Sequence, residues 1–226
     1  MHIEPELVTG AKLLLSYATA TVSFGLVAKA SLNAIKQDGV RKLLIRSIMA
    51  IVAVFAFFEL FMHHAVGVSE VHLILGSSLF LLLGPAAAGI GLIGGLLIQG
   101  VFFAPIDLPQ YGMNVTTLLL PLFAMAEIAK RTIPNTTKYV DLTYAQTLKL
   151  SLTYQGGIIA WVAFWAVYGQ GFEASNLVSV AMFGSAYMSV VLLEPIVDLG
   201  LLAAAKASRK FSFSAFFEKR LYSASI

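Results

Sequence analysis

Four histidines, His2, His63, His64 and His72, are the residues in this chain whose type and spacing could do chemistry. Neutral imidazole is the commonest side-chain metal ligand. His2 carries the most information because of where it stands. A free amine at Met1, the backbone nitrogen of His2 and its imidazole Nδ1 can grip one ion. The first two nitrogens close a five-membered ring, the last two a six-membered ring, and both rings are nearly flat. A second histidine can then fill the fourth corner of the plane. Planar nitrogen coordination suits Ni(II) or Cu(II). The competing reading is that these histidines sit at a membrane interface for solvation alone. Other chemistry has little support. The chain has no cysteine, so thiolate sites and thiol nucleophiles are excluded. His2 and His72 have no serine or carboxylate at triad-like spacing, and no glycine-rich, lysine-bearing phosphate loop occurs. Basic and aromatic residues do not interleave as nucleic-acid binding requires. The chain therefore reads as a non-enzyme without a nucleotide site.

The elements that would position these ligands are membrane spans. Of 226 residues 58% are apolar and 12% charged, and the mean hydropathy is +0.84. Ordinary soluble domains are about 45–50% apolar and about 25% charged. Apolar runs fall near 11–32, 43–62, 71–84, 86–104, 114–129, 147–168 and 176–204. At about 20 residues per membrane helix, this predicts an all-α bundle of about seven transmembrane helices. It forms one domain over 1–210 with an N-terminal tail over 1–10, and a short tail over 211–226 follows. The third run is short and ends at Gly84-Pro85, which predicts a tight turn or sharp break. The fourth is rich in glycine and is expected inside the bundle, where small residues permit close helix contact. Under a seven-span count, every lysine and arginine of the 15 except Lys12 falls on one side of the membrane. Bases accumulate on the cytoplasmic side, so the N-terminus is expected outside and the C-terminus inside. All four histidines then lie outside. Residues 1–10 lack the basic start and cleavage site of a signal peptide, and bulky His2 should protect Met1 from removal.

Met1-His2-Ile3, Val71-His72-Leu73 running into Leu83-Gly84-Pro85, Leu97-Ile98-Gln99 and Gly112-Met113-Asn114-Val115 together resemble the CbiM/NikM family. Its members are substrate-specific membrane components of energy-coupling factor (ECF) transporters for cobalt and nickel. The resemblance implies a metal held by the Met1 amine, the His2 amide nitrogen and imidazole, and His72. It also implies that Ni(II) or Co(II) is the cargo, with a transmembrane coupling (T) subunit and two ATPase subunits as partners in a bacterial or archaeal plasma (inner) membrane. The segments Glu4-Pro5-Glu6-Leu7, His63-His64 and Ala104–Tyr111 depart from the family pattern, so the outer loops differ. A stand-alone secondary metal permease is the alternative. It would need ionisable residues along a transmembrane path, and the middles of the third, fourth and sixth spans carry none.

Asn114, at the start of the fifth span, is expected either as an N-cap or as an outer partner that orients a ligating imidazole. His63 and His64 are expected as an interfacial pair or as a funnel that passes metal inward, with Glu59 four residues before His63 on the same face. Glu194 and Asp198, also one turn apart, are expected at the inner interface in contact with water. Ala30 and Ala34, with Ala50, Ala53 and Ala56, offer small-residue surfaces for a partner. The methionines have no recurring spacing and read as packing.

Overall fold

The computed structural model describes residues 3–61, 64–207 and 216–223. Six long helices dominate it: α1 (Leu13–Asp38), α2 (Val40–Glu59), α3 (Gly76–Phe102), α4 (Tyr111–Thr132), α5 (Tyr144–Gln170) and α6 (Ala174–Ala207). A short α7 (Lys219–Tyr222) follows, and an antiparallel hairpin, β1 (His64–Val66) and β2 (Ser69–Val71), lies between α2 and α3. The protein is an all-α polytopic membrane protein. Five segments, Gly10–Asp38, Gly76–Phe102, Pro105–Thr132, Tyr144–Gln170 and Ala174–Ala207, are long and apolar enough to cross a bilayer. Helix α2 has 20 residues but carries Arg41, Lys42, Arg46 and Glu59 within them.

The third and fourth predicted spans are one helical element, broken at Gly84. There the backbone turns to φ 85°, ψ 162°, outside the helical region. Glycine tolerates that φ, and Pro85, with no N–H, leaves the Leu81 carbonyl without its helical donor. The result is an eight-residue half-helix, 76–83, ahead of a longer one. With the non-helical stretch 72–75 before it, the half-helix reaches roughly 25 Å. That approaches the roughly 30 Å of a bilayer's hydrocarbon. The predicted span is thus part irregular and part helix.

The longer half of α3 is buried among its neighbours, as its glycines foretell. Gly89 faces Val27, Gly91 faces Ala50, and Gly95 faces Val54. Ala50 is therefore spent inside the bundle and is not a partner surface, a correction to the expectation for that residue. Exposed apolar side chains such as Leu14, Val22, Leu44, Val52, Leu192 and Ile196 lie on the outer faces of α1, α2 and α6. In a bilayer these positions face hydrocarbon.

Two ends of the bundle are distinguished by their polar contacts. At one, Arg46 is inserted between Asp38 (2.9 Å) and Glu218 (3.1 Å) with its side chain almost wholly buried. The Glu218 backbone N–H donates to the Leu82 carbonyl (2.7 Å), beside the α3 break. Arg220 caps the carbonyls of Ile133 and Pro134, and Lys206 Nζ donates to the Leu142 carbonyl. Burial pushes the Glu218 carboxyl above its usual range, against the pull of the Arg46 charge. At the opposite end, Gln170 Nε2 donates to the carbonyls of Glu6 and Leu7, and Gln110 Nε2 donates to that of Pro5. The N-terminal segment closes this end.

Glu194 and Asp198 do not meet water. Glu194 is fully buried and Asp198 nearly so. The expectation of an inner-interface pair is corrected: both carboxylates face the start of the half-helix at 76–83. There, backbone and side-chain donors take the place of solvent, as buried polar groups require.

Candidate metal centre

The site begins with Ile3, which is wholly buried and forms an antiparallel bridge with Ser69. The Glu4 N–H donates to the Val68 carbonyl (3.3 Å), so residues 3–4 add a third short strand edge to the β1–β2 hairpin. Gly67 makes the hairpin turn at φ 63°, where a side chain would be strained, and a Cβ there would also collide with the Ser179 carbonyl of α6. Hairpin and N-terminal segment are thus held against the bundle.

Asn114 secures the same segment from α4. Its Oδ1 accepts the Ile3 N–H at 2.9 Å, and the side chain is buried. The N-cap of α4 is Gln110, so Asn114 lies inside the first turn and is no cap. Among the described residues its hydrogen bond is to backbone, the Ile3 N–H, and it so fixes the chain adjoining His2. Gly112, the second residue of α4, lets the helix approach α1, since a Cβ there would stand 2.9 Å from the Ser16 carbonyl oxygen.

His72 follows β2 directly and is 1% exposed. Its ring stacks at a tilt on Phe58, with centroids 4.8 Å apart. Its Nε2 lies 2.8 Å from Glu70 Oε2. A carboxylate accepts only, so the pair selects the Nε2–H tautomer and makes Nδ1 the lone-pair nitrogen. Metal-binding histidines are commonly oriented by such a carboxylate, which also raises their basicity. Sequence reasoning did not single out Glu70. The signal was the spacing: residues two apart on a strand share a face.

Acids crowd this end. Burial, then the charges of Glu70 and Asp107, push the Glu4 carboxyl above its ordinary value. The clustered carboxylates form a negative field that favours a cation.

Of the sequence-predicted ligands, only His72 is placed. Met1 and His2 lie outside the described residues, as does His63. His64 opens β1, is exposed and pairs in register with Val71. Among the described residues no three His, Asp or Glu side chains converge as a metal site.

A family model described as the cobalt uptake substrate-specific transmembrane region matches residues 2–212. No curated protein and no solved structure matches the chain.

Proposed function

Because the chain belongs to the CbiM family of cobalt uptake substrate-specific transmembrane regions, we propose that it is the metal-capturing subunit of an energy-coupling factor importer for Ni(II) or Co(II). In this reading the ion is held by the Met1 amine, the His2 amide nitrogen and imidazole, and His72 Nδ1. One observation carries it: Ile3 is docked in the core by Asn114 and Ser69, in the hairpin that leads into the buried, carboxylate-paired His72. Two residues of chain reach about 7 Å at most, so Ile3 tethers whatever residues 1 and 2 hold. Energy for uptake would come from a coupling subunit and two ATPases. The test is nickel or cobalt bound one-to-one by purified protein, with uptake by cells only when those partners are co-expressed. Uptake by the chain alone would favour the permease alternative. That alternative would have to draw on Glu194 and Asp198, and both carboxylates are already occupied, Glu194 by the Ile74 and Leu75 amides and Gln155 of α5, Asp198 by Ser77 and Ser78 of α3.

The end bearing Arg46, Lys206 and Arg220 is proposed to face the cytoplasm by the distribution of bases. The chain has no native cysteine, so single cysteines report cleanly. Thr136→Cys should resist an impermeant thiol reagent in intact cells. Ile106→Cys, on the opposite end and 72% exposed, should react. The reverse pattern would refute the orientation.

Glu70→Gln keeps an acceptor for His72 but removes the charge. Partners of this kind command about 10- to 100-fold in metal affinity. A loss in that range is expected in a nickel competition titration, and unchanged affinity would remove Glu70 from the site.

A further inference from the structure

We infer that Glu194 is a positioning residue for His72, acting through the backbone that follows it; the inference rests on His72 being a ligand, as proposed above. Glu194 lies within α6 and is fully buried. Its Oε1 accepts the backbone N–H groups of both Ile74 and Leu75. Its Oε2 accepts from Gln155 Nε2 of α5. Gln155 Oε1 in turn accepts the Tyr187 hydroxyl at 2.6 Å. The carboxylate is therefore held from both sides and presents one oxygen to the chain two residues beyond His72.

The backbone it grips is not at rest. Leu75 has φ 54°, the one left-handed non-glycine residue among those described. Leucine avoids that region because its Cβ approaches the following carbonyl, and such a residue persists only where its surroundings impose it. The two hydrogen bonds to Glu194 are that imposition. One turn along α6, Asp198 accepts the hydroxyls of Ser77 and Ser78, so the half-helix starts where the grip ends. Without the carboxylate oxygen, Leu75 is free to relax and the peptides between His72 and Leu75 to rotate. Phe58 and Glu70 alone would then define the imidazole.

A role through hydrogen bonding predicts that the acceptor matters and the charge does not. Glu194→Leu removes the acceptor, whereas Glu194→Gln keeps a carbonyl oxygen for both N–H groups. Nickel affinity is to be measured on the full chain in lipid nanodiscs, with the His72 imidazole ¹⁵N shifts recorded on metal-free protein and assigned by difference from His72→Ala. Glu194→Leu should lose about 10-fold or more in affinity and shift the His72 resonances, while Glu194→Gln stays within about threefold of the parent. Should Glu194→Leu not accumulate, Gln155→Leu releases the carboxylate from its other side and should produce the same shift with a smaller loss. Unmoved His72 resonances in the leucine variants would overturn the inference, as would equal losses for leucine and glutamine, which would make the charge itself the active feature. If the parent binds no nickel, the proposed function fails, and the metal-free resonances alone decide the positioning role.

Discussion

One residue added ahead of Met1 is expected to abolish nickel and cobalt binding as thoroughly as His2→Ala, although it deletes no side chain. The proposed chelate needs a bare α-amine at residue 1. An added residue turns that amine into an amide and breaks the five-membered ring. It also lengthens a segment whose third residue is locked in the core, Ile3 being wholly buried and bonded to Asn114. The free amine titrates at about 7.7–8.0, so an ion that takes its lone pair displaces a proton, and the His2 amide gives up another. Affinity should therefore fall as pH drops, and binding should release protons to the buffer. A C-terminal tag leaves all this untouched. Elemental analysis of extended, C-terminally tagged and untagged proteins reads the result. Full occupancy in the extended protein would leave a side-chain histidine cluster as the better description.

His72→Ala should strip the metal from purified protein while the chain still inserts in the membrane. The loss should exceed the roughly 100-fold ceiling for outer partners, because the ligand itself is gone. The variant also removes the ring packed on Phe58 and takes away the imidazole partner of Glu70. Some loss of thermal stability is expected with it. His72→Gln, which refills much of the volume, should recover stability without recovering metal. Stoichiometric nickel in either variant would exclude His72 as a ligand.

What the sequence disclosed and what it withheld divide along a physical line. The apolar runs, the Gly84-Pro85 break and the glycines of α3 were legible because each is a local property: length, backbone freedom, residue size. The structure then sets Gly91 against Ala50 and Gly95 against Val54. The partnership of Glu70 with His72 was within reach of strand periodicity, yet the hairpin is only three residues a side, too short for a pattern to stand out. Glu194 and Asp198 were beyond reach. Near the far end of a long apolar helix an acid reads as an interfacial group, and only other elements, the unwound stretch at 72–75, Ser77, Ser78 and Gln155, supply the donors that draw the pair inward. Asn114 shows the same limit. Its spacing from the helix start suggested a cap, but its partner is the backbone of a residue 111 positions earlier.

The break at Gly84 leaves a helix of eight residues between two anchors, and a helix that short has no middle. Nearly every N–H and C=O in it lies within a turn of one end or the other, where intrahelical partners run out. Inside a bilayer water does not make up the deficit. Its order is therefore supplied from outside: by the acids of α6 at the end nearer His72, and by the Glu218 amide on the Leu82 carbonyl at the other. The eight residues thus take their order from two different parts of the chain, the acids of α6 at one end and the segment that follows α6 at the other.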